Sequence, residues 1–226
     1  MERHQIGIVI PAYNEEQSIL QVIEKISRFG LPIVVNDASV DQTAAIARNA
    51  GAEVVTHASN QGYDAALNSG FARAEALGCQ WVITIDADGQ HPPELLQTFI
   101  DHLQAGADLV AGIRNEQQRL AEWLFSLFTR WRYGLADPLC GMKGYQMSLY
   151  RQLGHFDAYQ SIGTELLLFA LHNGRRCVQV PVMTRKRVGV SRFGRALLGN
   201  YRILRAMLLA LVTIRTLPTP SQDRSS

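Results

Sequence analysis

Between residues 6 and 113, short runs of β-branched and apolar residues alternate with longer runs of helical periodicity, and no other feature restricts the possible folds as strongly. Strands are predicted over 6–10, 33–36, 53–56, 81–85 and 109–113. Asn14 followed by Gln17 predicts a capping box, Ile19, Ile23 and Ile26 keep one helical face, and Gly30 with Pro32 closes that helix. Gly51, Gly78 and Gly106 are placed to end three more helices. A strand such as VITI needs cover on both faces, which is how strands sit in a doubly wound, mostly parallel sheet. Such sheets bind ligands beyond the carboxyl ends of their strands. After Arg114 the alternation breaks. An aromatic-rich helical stretch, a Gly-rich turn at CGMKGY, a helix near 165–172, a strand near 178–182 and a basic tail follow, with no internal repeat.

The chain of 226 residues suffices for one substantial domain with appendages. Its formal net charge of +2 exerts no overall pull toward nucleic acid, so any electrostatic function is local. Cys79, Cys140 and Cys177 are far apart and lack CxxC spacing, which points to a reducing compartment and away from zinc. MERH runs directly into the first strand, so no secretory leader is expected. The apolar run at 206–214 is about half of the ~20 residues that span a bilayer, and no transmembrane helix is expected.

The segment WVITIDADGQHPP starts as a buried strand and ends with Asp86 and Asp88 one residue apart. The two-residue period of extended backbone turns both carboxylates to one side, a chelating arrangement suited to Mg²⁺ or Mn²⁺ that keeps water and phosphate oxygens in its shell. Alternatives are an EF-hand, which needs further acidic ligands and a closing Glu that DADGQHPPELLQ lacks, and a P-loop, whose GxxxxGK run is missing. Two solvated turn aspartates before Gly89 are the plainest reading of DxDG alone. PAYNEE at the end of the first strand and VVNDASVDQT at the end of the second bring more polar residues to the same sheet edge, without a GxGxxG phosphate fingerprint.

PAYNE, VVNDASVD, NQGYDAALNSG, DADGQH and GIR stand in an order and spacing that resembles the family 2 glycosyltransferases of GT-A fold, over roughly residues 6–114. DPLCGMKGY from Asp137, Glu165 ahead of a helix, and RKRVGVSRFG from Arg185 resemble the DxxSGFK, Glu and RxxGxSK segments of dolichyl-phosphate mannose synthases and related polyprenyl-phosphate glycosyltransferases. The QxxRW motif of processive polysaccharide synthases is absent. The resemblance implies an α/β fold of GT-A type, a Rossmann-like, mostly parallel sheet flanked by helices. A GT-A domain is expected over 1–194, a C-terminal amphipathic helix over 195–216, and a disordered Pro-, Ser- and Thr-rich tail over 217–226.

Position by position, the resemblance implies that Pro11, Tyr13, Glu15, Asp37 and Ala87 meet the nucleotide, with Asp37 accepting from the base. Asp86, Asp88 and Gln90 fall at positions for Mg²⁺ or Mn²⁺. Arg114, and Lys186, Arg187, Ser191 and Arg192 in the basic segment, fall at phosphate positions of donor or acceptor. Asp86, Asp88 and Arg114 are expected to carry catalysis. The chain departs from the family where Asn36, Asp37, Ala38 and Ser39 replace DDGS, where Asp64 replaces a frequent Gly, and where Cys140, Gly141 and Met142 replace SGF. These departures leave the donor and sugar open. His91, before Pro92 and Pro93, is read as shaping a turn rather than as a general base.

A phosphate acceptor is already anionic and needs positive charge rather than a base, and the basic segment at 185–192 supplies it. The expected reaction is an inverting transfer from a nucleotide sugar to a polyprenyl phosphate at the cytoplasmic membrane face. In RLAEWLFSLFTRWRYGL, residues 119–135, apolar and aromatic side chains lie among arginines, as in an interfacial helix. Leu197, Tyr201, Leu204, Leu208 and Leu211 repeat at helical spacing, with Arg195, Arg202 and Arg205 on another face. Both helices either pack on the domain or hold it peripherally at a membrane, where a membrane-embedded partner protein is expected to complete it. The rival readings are a family 2 transferase acting on a sugar hydroxyl, with Glu165 or another carboxylate as base, and an inactive nucleotide-sugar-binding subunit.

Overall fold

The computed structural model describes residues 5–115, 119–184 and 196–213, without the side chains of 196–199 and 210–213. Lys186, Arg187, Ser191 and Arg192, the Arg195, Leu197 and Leu211 side chains, and the tail from 217 lie outside the described residues. The first half follows the expected alternation: β1 (Ile6–Ala12), α1 (Ile19–Ile26), β2 (Leu31–Asn36), α2 (Thr43–Asn49), β3 (Glu53–Thr56), α3 (Tyr63–Ala76), β4 (Trp81–Thr84), α4 (Leu95–Gln104) and β5 (Leu109–Arg114). Then come α5 (Leu120–Tyr133), β6 (Lys143–Gln146), α6 (Met147–Leu153), α7 (Glu165–His172), β7 (Cys177–Val182) and α8 (Ala196–Thr213).

Among the described residues, seven strands form one sheet in the order β3-β2-β1-β4-β6-β5-β7. β6 runs antiparallel to both its neighbours, and the other pairings are parallel. Alternate residues of each central strand feed two cores. Ile8, Ile10, Val34 and Ile83 pack with α1 and α4 on one face, while Val9, Ile33, Val82 and Tyr145 pack with α3, α6 and α7 on the other. Cover on both faces is what makes these strands near-continuous apolar runs. A third cluster joins Ala121 and Phe125 of α5 to Leu168 of α7 and Ile203 of α8.

Three expectations are corrected. CGMKGY is not only a turn: Lys143–Gln146 forms β6 between β4 and β5, held because the backbone of this short segment finds partners on both sides. Asn14 and Gln17 form no capping box. α1 opens at Ile19 behind Ser18, and Asn14, at φ 51°, instead joins the β1 and β2 exits. Its amide donates to Ser39 Oγ at 2.8 Å and its Oδ1 accepts from the Val40 amide at 2.8 Å. In α8 the stripe expected to be one apolar face points partly outward, with Tyr201 and Leu208 exposed, whereas Ile203 and Ala206 face inward.

The β2 exit also carries a backbone cost. Ala38 replaces the glycine of the family pattern yet adopts φ 58°, in the left-handed region where a Cβ costs about 1–2 kcal/mol. Ala38→Gly is therefore expected to raise the unfolding free energy by up to about 1 kcal/mol, since the greater freedom of glycine in the unfolded chain offsets part of the relief. Urea denaturation checks this, and a less stable variant contradicts it.

Candidate active site

The carboxyl ends of β1, β2 and β4 open into one cavity of about 780 Å³. Pro11, Tyr13 and Glu15 enter from β1 and its exit, Asp37 from the β2 exit, and Asp86, Ala87, Asp88 and Gln90 from the β4 exit. Arg114 joins them from β5. Each of these sequence-derived candidates thus lines a single space. Residues that the sequence reading did not assign to the site complete it: Tyr63 and Ala66 of α3, Gly141 and Lys143 around β6, Ile162, and Arg202 and Ile203 of α8.

Asp37 is buried and tightly held. Its Oδ1 accepts from His57 Nδ1 at 2.7 Å and from the Gln61 amide at 2.8 Å, and its Oδ2 accepts from the Gly62 amide at 2.8 Å. His57 spans from Asp37 to α3, with its Nε2 2.8 Å from Ser69 Oγ. The carboxylate is oriented while retaining a lone pair for a ligand, because two carboxylate oxygens offer about four acceptor sites. Asn36 turns its Oδ1 to the Ser39 amide at 3.3 Å, shaping the same exit.

Asp86 and Asp88 precede the turn at Gly89, and the Gln90 backbone amide donates to Asp88 Oδ1 at 3.0 Å. The Asp86 side chain is one-third exposed, at 33%, and receives a long bond from the Tyr63 hydroxyl at 3.4 Å. Gly141 lies so close that a Cβ there would come within 2.4 Å of Asp86 Oδ2, so only a glycine permits this approach. His91 Nδ1 accepts from the Asp86 backbone amide at 3.2 Å, which makes His91 a brace for the turn. No group of three metal-ligating His, Cys, Asp or Glu side chains occurs among the described residues. Two carboxylates and the side-chain carbonyl of Gln90 at a cavity fit a hard cation that takes its remaining ligands from substrate and water, as Mg²⁺ and Mn²⁺ do.

Arg114 lines the cavity with its guanidinium held in ion pairs. Its Nε and Nη2 grip Asp137 at 2.7 and 3.0 Å, and Nη2 also reaches Glu122 at 3.3 Å. Arg119 meets the same Glu122 at 3.5 Å. Burial opposes the Arg114 charge, but the hydrogen bond and charge of Asp137, aided by Glu122, hold its pKa above the ordinary arginine value. Burial likewise opposes the Asp137 charge, yet Arg114 keeps that carboxyl below its usual range. Asp137 lies 23 residues from Arg114, beyond any local sequence signal.

Around the far wall, burial pushes Lys143 down to about 8, against the opposing charges of Asp137 and Asp86. Burial pushes the Cys140 thiol up to about 12, so it stays protonated at neutral pH and is no nucleophile. Glu165 does not line the cavity. Its Oε1 meets His155 Nε2 at 2.9 Å and its Oε2 accepts from the Ala158 amide at 2.5 Å, closing the loop ahead of α7.

Comparison with known proteins places this geometry. The family model for Glycosyl transferase family 2 matches residues 7–154, more than half of the chain. A dolichyl-phosphate hexose transferase of Haloferax volcanii is 29% identical over 197 residues, covering 81% of this chain and 84% of that protein. A polyprenol monophosphomannose synthase of Mycolicibacterium smegmatis is 28% identical over 212 residues, 82% and 79% of the two chains. Among solved structures, glucosyl-3-phosphoglycerate synthase from Mycobacterium tuberculosis, in complex with Mn²⁺ and UDP-glucose, superposes with a TM-score of 0.73 at 22% identity, over 96% of this chain and 80% of that one. The fold is the expected GT-A arrangement.

The Arg114 pair yields a stability prediction. Asp137→Ala leaves a buried guanidinium short of its main partner and is expected to cost about 3–5 kcal/mol at pH 7. Because the folded-state pKa of Asp137 is lowered, its contribution is fully present above the usual carboxylate range and is lost as pH falls through the lowered value. Denaturation of wild type and variant should therefore converge in acid. A gap that persists there contradicts the ion-pair account.

Proposed function

Since the chain belongs to glycosyl transferase family 2, we propose that it moves a sugar from a nucleotide sugar to the phosphate of a polyprenyl phosphate, with inversion, while docked on a membrane surface. The observation that carries the acceptor half is the continuity between the cavity and an outward apolar, basic face. Arg119 and Glu122 of the α5 end and Arg202 and Ile203 of α8 form part of the cavity wall. On the outer side of α5, Leu120, Trp123, Leu124, Leu127 and Trp131 share one exposed stripe, and Tyr201 and Leu208 are exposed on α8, which packs against α5. Arg130, Arg132 and Arg202 of the same two helices are exposed. Glu122 is the one carboxylate in either helix, and it is buried in ion pairs. Such a face suits an anionic bilayer surface, from which a lipid phosphate can reach the cavity without leaving its membrane. No described helix is long and apolar enough to cross a membrane.

In this reading an acceptor phosphate oxygen attacks the anomeric carbon, the bond from that carbon to the diphosphate breaks, and its electron pair leaves with the nucleoside diphosphate. The acceptor carries its own negative charge, so no protein base is required. That fits Glu165, whose carboxylate is taken up by His155 and the Ala158 amide outside the cavity. Asp86 and Asp88, with the side-chain carbonyl of Gln90, would hold Mg²⁺ or Mn²⁺, which would supply Lewis-acid neutralisation of the leaving diphosphate. Tyr63 and Gly141 fix the Asp86 carboxylate in advance. Asp37 accepts from the nucleotide base. Lys186, Arg187, Ser191 and Arg192 keep their proposed role toward the phosphate groups. The relatives that act on dolichyl and polyprenol acceptors support the lipid substrate.

An assay offering undecaprenyl phosphate and an alkyl glycoside hydroxyl as competing acceptors, with Mn²⁺ and a panel of nucleotide sugars, tests the reading. Label is expected in the lipid phosphate product. Asp88→Ala should lower turnover by about a hundredfold or more, whereas Glu165→Gln should stay within a few fold of wild type. Label in the glycoside alone, with loss of activity in Glu165→Gln, favours the hydroxyl rival.

A further inference from the structure

The loop over 157–164, between α6 and α7, is held more firmly than a surface connection needs. Gln160, Ile162 and Gly163 all take positive φ, at 57°, 59° and 66°. For a β-branched residue such as Ile162 this conformation persists only where the surroundings enforce it. Asp157 accepts from the Tyr159 and Ser161 amides at 3.2 and 3.0 Å, and Asn68 of α3 donates to the Asp157 carbonyl at 2.6 Å. Gly163 is gripped at both of its polar groups. Its amide donates to Asp64 Oδ1 at 2.6 Å, and its carbonyl accepts from Lys143 Nζ at 2.9 Å. The Ile162 amide also reaches Asp64 Oδ2 at 3.3 Å. The outcome is that Ile162 stands on the cavity wall near Tyr63 and Lys143.

The order of strands along the sheet edge tells which part of a ligand meets this wall. The edge runs β2, β1, β4, β6. Asp37, Pro11 and Tyr13 stand at the β2 and β1 exits, Asp86 and Asp88 at the β4 exit, and Lys143 on β6. A nucleotide sugar with its diphosphate at Asp86 and Asp88 and its base toward β2 lays its sugar toward β6. This placement rests on the donor reading proposed above.

We infer that Asp64 and Lys143 are specificity-determining residues for the transferred sugar: they clamp Gly163 from opposite sides so that Ile162 forms the wall against which the sugar ring lies. Lys143, whose ammonium has three N–H donors and one bonded acceptor among the described residues, offers the others to the ring's hydroxyl oxygens. Asp64, the residue that replaces the frequent glycine of the family pattern, thereby acquires a role. Burial and the charge of Asp157 push its carboxyl up to about 6 despite the Gly163 and Ile162 amides, so at neutral pH it is the charged form that grips the loop.

Steady-state turnover of UDP-glucose, UDP-galactose and GDP-mannose with Mn²⁺ tests the inference in Asp64→Ala, Asp64→Asn, Lys143→Met and Ile162→Ala. Wild-type turnover on this panel tests the transferase reading, and the ratio between donors tests the clamp. Asp64→Ala and Lys143→Met are expected to lower kcat/KM for the preferred donor by about tenfold and to bring its ratio over the poorer donors toward unity. Inhibition by the matching nucleoside diphosphate, which lacks the sugar, should stay within about twofold, and Asp64→Asn, which keeps an oxygen for the Gly163 amide, should recover most of the ratio. Equal losses for every donor and for the nucleoside diphosphate overturn the inference. Ile162→Ala alters the wall without touching the clamp, so an unchanged donor ratio in that variant overturns it independently.

Discussion

The antiparallel pairing of β6 with β4, with Thr84 opposite Lys143, sets the backbone of Gly141 against the carboxylate of Asp86. Thr84 Oγ1 secures that approach by donating to the Gly141 carbonyl at 2.6 Å, while it accepts from the Lys143 amide at 3.2 Å. Without this inserted strand, β4 would end in a solvated DADG turn. With it, one carboxylate is packed from behind and left open toward the cavity, and a buried lysine is carried to the far wall. A parallel half-sheet provides the edge, and the inserted strand turns that edge into an enclosed site.

Charge in the cavity is arranged rather than merely concentrated. Arg114 and Arg119 are balanced by Asp137 and Glu122, so these arginines tie β5 and α5 together and leave the carboxylates of the β4 exit as the feature that calls for a cation. Because α5 carries Glu122 on its inner side and an apolar stripe on its outer side, one helix both lines the cavity and presents the exposed face on which the proposed membrane docking rests. The lipid phosphate proposed as acceptor brings its own nucleophilic charge and so needs no protein base, in keeping with a Glu165 carboxylate engaged by His155 and the Ala158 amide.

Much of this was legible in the sequence because strand ends obey a topological rule. Pro11, Asp37 and Asp86 are far apart in the chain, yet alternating strands and helices bring their ends to one edge. β6 was hidden because KGYQ is four residues long, lacks β-branched residues and earns its strand state only from neighbours on both sides. The partners of Arg114 and the loop clamp were hidden for the same reason, being tertiary contacts over 23 and about a hundred residues. Asn14 carried a helix-start signal, but hydrogen bonds to Ser39 and Val40 outcompeted the capping box. In α8 the repeat marked an amphipathic helix and left open which stripe would meet the protein.

The central claim is that Asp86 and Asp88 bind the diphosphate through a divalent cation rather than directly. Isothermal titration of UDP and GDP into the protein, in Mn²⁺ and again in EDTA, tests it most directly. The account predicts that one nucleotide binds at least about tenfold more tightly with Mn²⁺, and that Asp86→Asn with Asp88→Asn removes the difference while the folded protein retains its melting temperature. Equal affinity with and without the cation in the wild type contradicts the account.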